Sequence, residues 1–200
     1  MESLVRTVGP AEEAFVLGAG IISRESWSWQ APIVERLTPM GTICRMTIHH
    51  TAGEMTPGEG VGEVKDRLRR IQSEHEERMN AGDIGYHFII DGAGRVWEGR
   101  SLSWQGAHAG NGAANAGNIG IAVMGDFDIE DVPPAQAAAL RELVERASAA
   151  YGIGAAEIYT HREMKAMYSL EETTCPGARL QRIMDEMRRE LAAKEKRPAR

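Results

Sequence analysis

The run Met46-Thr47-Ile48-His49-His50-Thr51-Ala52-Gly53 constrains this chain more than any other stretch. An apolar, β-type segment ends in two histidines and then breaks at Gly53. A strand that carries imidazoles at its end and stops in a loop is a rigid platform for a site. Strand side chains alternate, so His49 and His50 point to opposite faces and only one of them can meet a shared ligand. Pattern alone does not choose between them. Two later stretches supply complementary chemistry: Gly85-Tyr86-His87-Phe88 offers a phenol and an imidazole, and Thr160-His161 with Thr173-Thr174-Cys175-Pro176-Gly177 offers an imidazole and a thiol.

Around these runs the periodicity predicts an α/β fold, a mixed central β-sheet flanked by about three α-helices. Strands are expected over Cys44–His50, Ile84–Ile90, Arg95–Glu98, Ile119–Met124 and Ile158–Thr160. Asp91-Gly92-Ala93-Gly94 is the turn of a hairpin. Val61, Val64, Leu68, Ile71 and His75 recur at steps of three and four, which predicts an amphipathic helix ending near Met79-Asn80-Ala81-Gly82. A second helix opens at Val132-Pro133-Pro134 and runs to about Ala150. A third follows Cys175-Pro176, with Leu180, Ile183, Met184, Met187 and Leu191 as its apolar stripe. Residues 101–118, rich in Gly, Ala and Asn, read as a shaped surface loop. Trp27, Trp29 and Trp97 are expected to pack, and Arg100 to be a solvated hairpin end. One domain is expected over 21–191, with an N-terminal extension over 1–20 and a basic, frayed tail over 192–200.

A catalytic zinc site takes three protein ligands and leaves a fourth position for water. One of the paired histidines, His161 and Cys175 make such a set, all at element ends. Each residue alone has an ordinary structural explanation: a strand-end imidazole is commonly a packed or surface histidine, and a small buried cysteine is commonplace. His75, on the helix stripe, reads as a core residue.

These stretches resemble the zinc amidase family that includes the peptidoglycan recognition proteins and the bacteriophage-lysozyme-type N-acetylmuramoyl-L-alanine amidases. The matching runs are Ser23-Arg24-Glu25-Ser26-Trp27, Ile48 to Gly53, Asp83 to Phe88, Gly94-Arg95-Val96-Trp97-Glu98-Gly99-Arg100, Gly106-Ala107-His108-Ala109-Gly110-Asn111, Asn118 to Ala122, and Thr160-His161-Arg162 with Thr173 to Gly177. No single run is specific; their ordered succession is. The resemblance implies His49, His161 and Cys175 as Zn²⁺ ligands and Tyr86 as the catalytic phenol, with Thr173 assisting near the attacked carbonyl. It implies His50, His87, Trp104, His108 and Asn111 around a glycopeptide groove, together with the loop after Gly53. The expected reaction is hydrolysis of the amide between N-acetylmuramic acid and L-alanine of the stem peptide.

Thirteen residues separate His161 from Cys175. That is longer than the family spacing, so 165–172 read as an inserted loop beside the groove. Two rivals stand beside the enzyme. One is a peptidoglycan-binding module without catalysis, the form taken by family members that lack the cysteine. The other is a cysteine hydrolase with Cys175 as nucleophile and His161 as base.

A net charge of −6 argues against a general nucleic-acid binder, and no apolar run approaches the ~20 residues of a membrane span. Two cysteines make no disulfide framework. The start Met1-Glu2 has no basic region before an apolar one, so no secretory signal is visible. The expectation is cytoplasmic synthesis of a monomer that acts on peptidoglycan or muropeptides at the bacterial cell wall.

Overall fold

A computed structural model describes residues 20–54 and 58–196. Most of the expected extension, part of the loop after Gly53 and the last four residues lie outside them. Five strands form one sheet: β1 (Arg45–His50), β2 (Phe88–Ile90), β3 (Val96–Glu98), β4 (Asn118–Val123) and β5 (Ile158–Thr160), in the order β3-β2-β4-β1-β5. All neighbours are parallel except the β2–β3 hairpin. The parallel connections are made by helices, as their geometry demands. α1 (Val61–Arg78), α3 (Pro134–Tyr151) and α5 (Ala178–Glu195) are the three long helices; α2 (Gly112–Asn115) and α4 (His161–Met167) are short.

The period-2 alternation of the strands divides the core into two layers. Met46, Ile48, Phe88, Ile90, Ile119, Ile121 and Val123 face Leu140, Leu143 and Val144 of α3 and Leu180, Met184 and Met187 of α5. Ile89, Trp97 and Ala122 face the other way, onto Val64 and Leu68 of α1 and onto Trp27. His49 is in register with Ala122, so it lies on the α1 side of the sheet, and His50, beside Val123, lies on the α3/α5 side.

Several expectations need correction. The regular second strand begins only at Phe88; the Ile84 and Gly85 N–H groups bond to side chains instead, and His87 N–H donates to the Gly120 carbonyl of β4. Val61 is exposed and does not join the stripe of α1. Trp29 is 75% exposed and lies under the Arg69 guanidinium, 4.0 Å from its centroid, whereas Trp27 and Trp97 are buried as expected. Arg100 is not solvated: it is buried and donates to the carbonyls of Asp83, Ile84 and Gln105, tying the Tyr86 segment to the 101–118 segment. That segment is no surface loop either, since Leu102, Ala109, Ala114 and Asn115 are buried. The 165–172 insertion is helical in its first part, within α4. Residues 192–195, assigned to a frayed tail, are the last turn of α5, where Glu195 accepts from Ala155 N–H and Lys194 pairs with Glu145. Among the described residues no helix is long and apolar enough to cross a membrane.

Candidate metal centre

The C-terminal end of β1, the start of α4 and the approach to α5 converge on the α1 side of the sheet. Donor atoms of His49, His161 and Cys175 lie within 4.8 Å of one another. The rings of His49 and His161 are 4.5 Å apart, centroid to centroid, and Cys175 Sγ lies 3.8 Å from His49 Nδ1. His161 is the first residue of α4, and the Glu163 carboxylate fixes that start by accepting the Thr160 N–H at 2.8 Å. The Arg162 N–H donates to the Cys175 carbonyl, which closes the inserted loop at its base.

Hydrogen bonds determine which nitrogen of His49 is free. The Asn118 carbonyl can only accept, so His108 Nε2, 3.2 Å away, carries the proton. Neutral His108 then accepts at Nδ1 from His49 Nε2 at 2.9 Å. His49 Nδ1 is left with its lone pair, and it is the nitrogen that faces Cys175. His161 Nε2 is buried with no hydrogen-bond partner among the described residues. A buried orphan nitrogen costs about 1–3 kcal/mol unless something binds it.

All three donors are held in their uncharged forms. Burial, then neighbouring His161 and His108, lowers His49 well below the usual imidazole range. Burial, then the Lys165 charge, lowers His161 to about 4. Burial pushes the Cys175 thiol up to about 12. A thiol so placed is a poor free nucleophile, which counts against the cysteine-hydrolase reading. Two neutral imidazoles and a thiol fit zinc. A tetrahedral ion with nitrogen at about 2.0 Å and sulfur at about 2.3 Å holds those atoms roughly 3.5 Å apart, close to the His49–Cys175 separation.

Tyr86 lies beside this cluster, its ring 5.3 Å from His49 and 5.3 Å from His75. Burial, then the nearby Cys175, raises its pKa, so the phenol keeps its proton. Among the described residues no hydrogen bond occupies its hydroxyl. His75 Nδ1 accepts the Gly85 N–H at 2.7 Å, which fixes the backbone next to Tyr86; this is a more specific role than the core packing expected of it. Thr173 Oγ1 accepts the Cys175 N–H at 3.2 Å and leaves its own O–H free to donate.

The expected groove residues separate into two groups. Trp104 and Asn111 are partly exposed, though Asn111 also caps α2 by accepting from Ala114 N–H. His87 is withdrawn from the groove: it is fully buried, Nδ1 accepts from Gly120 N–H and Nε2 donates to the Trp104 carbonyl. His108 is also buried and acts behind His49 rather than as a groove wall. His50 turns to the far side, where Nδ1 accepts from Phe127 N–H and lies 3.8 Å from Asp126.

Residues that sequence reasoning passed over complete the support. Asn115 Oδ1 accepts from both His108 N–H and Ala109 N–H, and Asn118 is buried beside Thr47. Gly106 and Gly120 make room for the His108 ring: a Cβ on either would lie 2.4 Å from His108 Cδ2. Such close approach is what glycine permits, and two glycines flanking a histidine in space were the available signal.

The sequence pattern described as N-acetylmuramoyl-L-alanine amidase matches residues 40–178. Peptidoglycan-recognition protein SC2 of Drosophila melanogaster is 31% identical over 166 residues, which cover 82% of this chain and 84% of that protein. The crystal structure of Drosophila peptidoglycan recognition protein SD superposes with a TM-score of 0.68 at 30% identity, covering 89% of this chain and 94% of that one. An endolysin, the N-acetylmuramoyl-L-alanine amidase LysCS from Clostridium intestinale URNW, superposes with a TM-score of 0.61 at 27% identity, covering 84% and 94%. The chain therefore belongs to the N-acetylmuramoyl-L-alanine amidase family that the peptidoglycan recognition proteins share.

Proposed function

We propose that this protein is a zinc-dependent N-acetylmuramoyl-L-alanine amidase, cleaving the amide between the lactyl group of N-acetylmuramic acid and L-alanine of the stem peptide. The observation that carries the reading is the convergence of His49 Nδ1, His161 Nε2 and Cys175 Sγ, of which only the sulfur meets the backbone, at His50, beside a phenol whose hydroxyl has no hydrogen-bond partner among the described residues. Zinc held there would polarise the lactyl carbonyl and lower the pKa of a bound water towards ~7.

The chain's own groups then have separate tasks. His108 keeps the proton on His49 Nε2 and so leaves the Nδ1 lone pair facing Cys175, where it would be available to hold zinc. The Tyr86 O–H is placed to donate to the oxygen that gains charge as the carbonyl is attacked; one such donor contributes ~3 kcal/mol of barrier lowering. Thr173, anchored through the Cys175 N–H, would direct its hydroxyl proton at the carbonyl or the water. Trp104 and Asn111 would line the route of the glycopeptide.

The test is product analysis. A muramyl peptide is incubated with the protein, with the chelated protein and with the chelated protein resupplied with Zn²⁺. Release of a free L-alanyl amine that stops on chelation and returns with zinc is expected. Binding of the muramyl peptide with no release in any arm would make the protein a recognition module instead. Release that resists chelation and stops on thiol alkylation would restore the cysteine hydrolase.

A further inference from the structure

The insertion between His161 and Cys175 is built into the fold. Met164 of α4 is buried with Ala109 and Ala114, and Tyr168 accepts a hydrogen bond from Arg45 at 2.8 Å. Its far end meets the 106–111 segment so closely that a Cβ on Gly110 would lie 2.8 Å from Leu170 Cδ1 and 3.6 Å from Lys165 Nζ. Between α4 and the return to Thr173 it encloses an open-sided cavity of about 650 Å³ that ends at Thr173.

The charges around this cavity are unequal in their commitments. Glu163 is spent, since it accepts from both terminal nitrogens of Arg188, from Thr160 N–H and from Gln181. Arg162 donates to the Thr174 carbonyl, and its Nε is buried with no hydrogen-bond partner among the described residues. Lys165 is half-buried and forms no ion pair among the described residues. Glu172 is an exposed anion on the rim. A half-buried ammonium without a counter-ion lies where an anionic group would be held more firmly than at an open surface. Leu170 supplies an aliphatic wall beside it.

We propose that this cavity binds a free carboxylate of the stem peptide, with Lys165 as the principal contact and Arg162 as a second cation. The inference rests on the reading of the substrate as a muramyl peptide. It assigns the insertion a specificity role: the protein would prefer stems whose carboxylates are free over stems in which they are amidated. Thr173 joins the two sites, so a stem residue within one or two positions of the scissile amide is in reach, at ~3.5 Å of chain per residue.

The test uses the full-length, zinc-loaded chain carrying Tyr86→Phe to slow turnover. Two muramyl tripeptides are compared by calorimetry, identical except that the stem carboxylates are free in one and amidated in the other. The free form is expected to bind roughly tenfold more tightly. Lys165→Met should bring that ratio close to one, and Lys165→Arg should keep most of it. Equal binding of the two peptides, or a ratio that survives Lys165→Met, would overturn the proposal. Discrimination by the Tyr86→Phe chain, with no hydrolysis of either peptide by the parent chain, would sink the amidase reading and leave this one standing. Hydrolysis without discrimination would do the reverse, and binding of neither peptide would overturn both.

Discussion

His49 and His50 are neighbours in sequence and opposites in use. Each belongs to a cluster of three potential ligands whose donor atoms lie within 4.8 Å of one another: His49 with His161 and Cys175, and His50 with Asp126 and Asp128. In the His50 cluster every member already accepts a hydrogen bond from a backbone N–H. His50 Nδ1 accepts from Phe127 N–H, Asp126 Oδ1 from Asp128 N–H, and Asp128 Oδ1 from Ala178 N–H. Those bonds clasp the 125–128 loop to β1 and to the start of α5. In the His49 cluster only Cys175 Sγ meets the backbone, accepting from His50 N–H at 3.4 Å while the sulfur keeps further lone pairs, and the inner ring nitrogens of His49 and His161 are taken by no backbone group among the described residues. Proximity of ligand types does not make a metal centre; unspent lone pairs do.

The comparison breaks most sharply at the ligands themselves. His49→Ala or Cys175→Ser should take zinc from one per chain to none and reduce hydrolysis to background. His50→Ala should keep the zinc and instead lower stability by about 1–3 kcal/mol, because the Phe127 N–H loses its acceptor. Metal analysis paired with thermal unfolding separates the two outcomes.

Tyr86→Phe comes next. Zinc content should be unchanged while kcat falls by ~10²-fold, since only a donor to the developing oxyanion is lost. A larger effect on KM than on kcat would argue that the phenol binds ground-state substrate.

His108 sharpens the comparison from behind. His108→Ala frees His49 to adopt either tautomer, and metal affinity should weaken 10–100-fold, as measured by competition with a chelator. Gly120→Ala should act in the same direction, because its methyl would collide with the His108 ring. A further, additive loss of affinity in Gly120→Ala/His108→Ala relative to either single variant would place the collision elsewhere.

The smallest effect at neutral pH concerns His87. Burial outweighs its bond to the Trp104 carbonyl and lowers its pKa to about 4. The unfolded chain takes up a proton near 6.5 while the folded chain does not. The stability linked to His87 is therefore fully present above pH 6.5 and is lost as pH falls through the window from 6.5 to about 4. In metal-matched samples, unfolding free energy measured across that window should fall less steeply for His87→Asn than for the parent chain.

The sheet was legible because its strands alternate or run apolar, and because the Asp91–Gly94 turn is explicit. The site was legible in part. Resemblance pointed to His49 over His50, and strand alternation explains why they part. What was missed shares one cause. Arg100, His87 and His108 are polar residues, and their burial is set by partners distant in sequence: the carbonyls of Asp83 and Ile84, the Gly120 N–H and the Asn118 carbonyl. Local composition cannot register such pairings. It erred in the other direction for Trp29, whose aromatic ring implied packing but serves as a surface platform for Arg69. The insertion reads as a loop because α4 is only seven residues long, too short for a period to show.

The most direct test of the central claim is zinc titration of the metal-free chain, followed by mass spectrometry and by calorimetry, for the parent, His49→Ala and His50→Ala proteins. One tightly bound zinc is expected in the parent, none in His49→Ala and one of unchanged affinity in His50→Ala. Zinc retained in His49→Ala and lost in His50→Ala would contradict that claim, since the metal would then lie on the other face of the sheet.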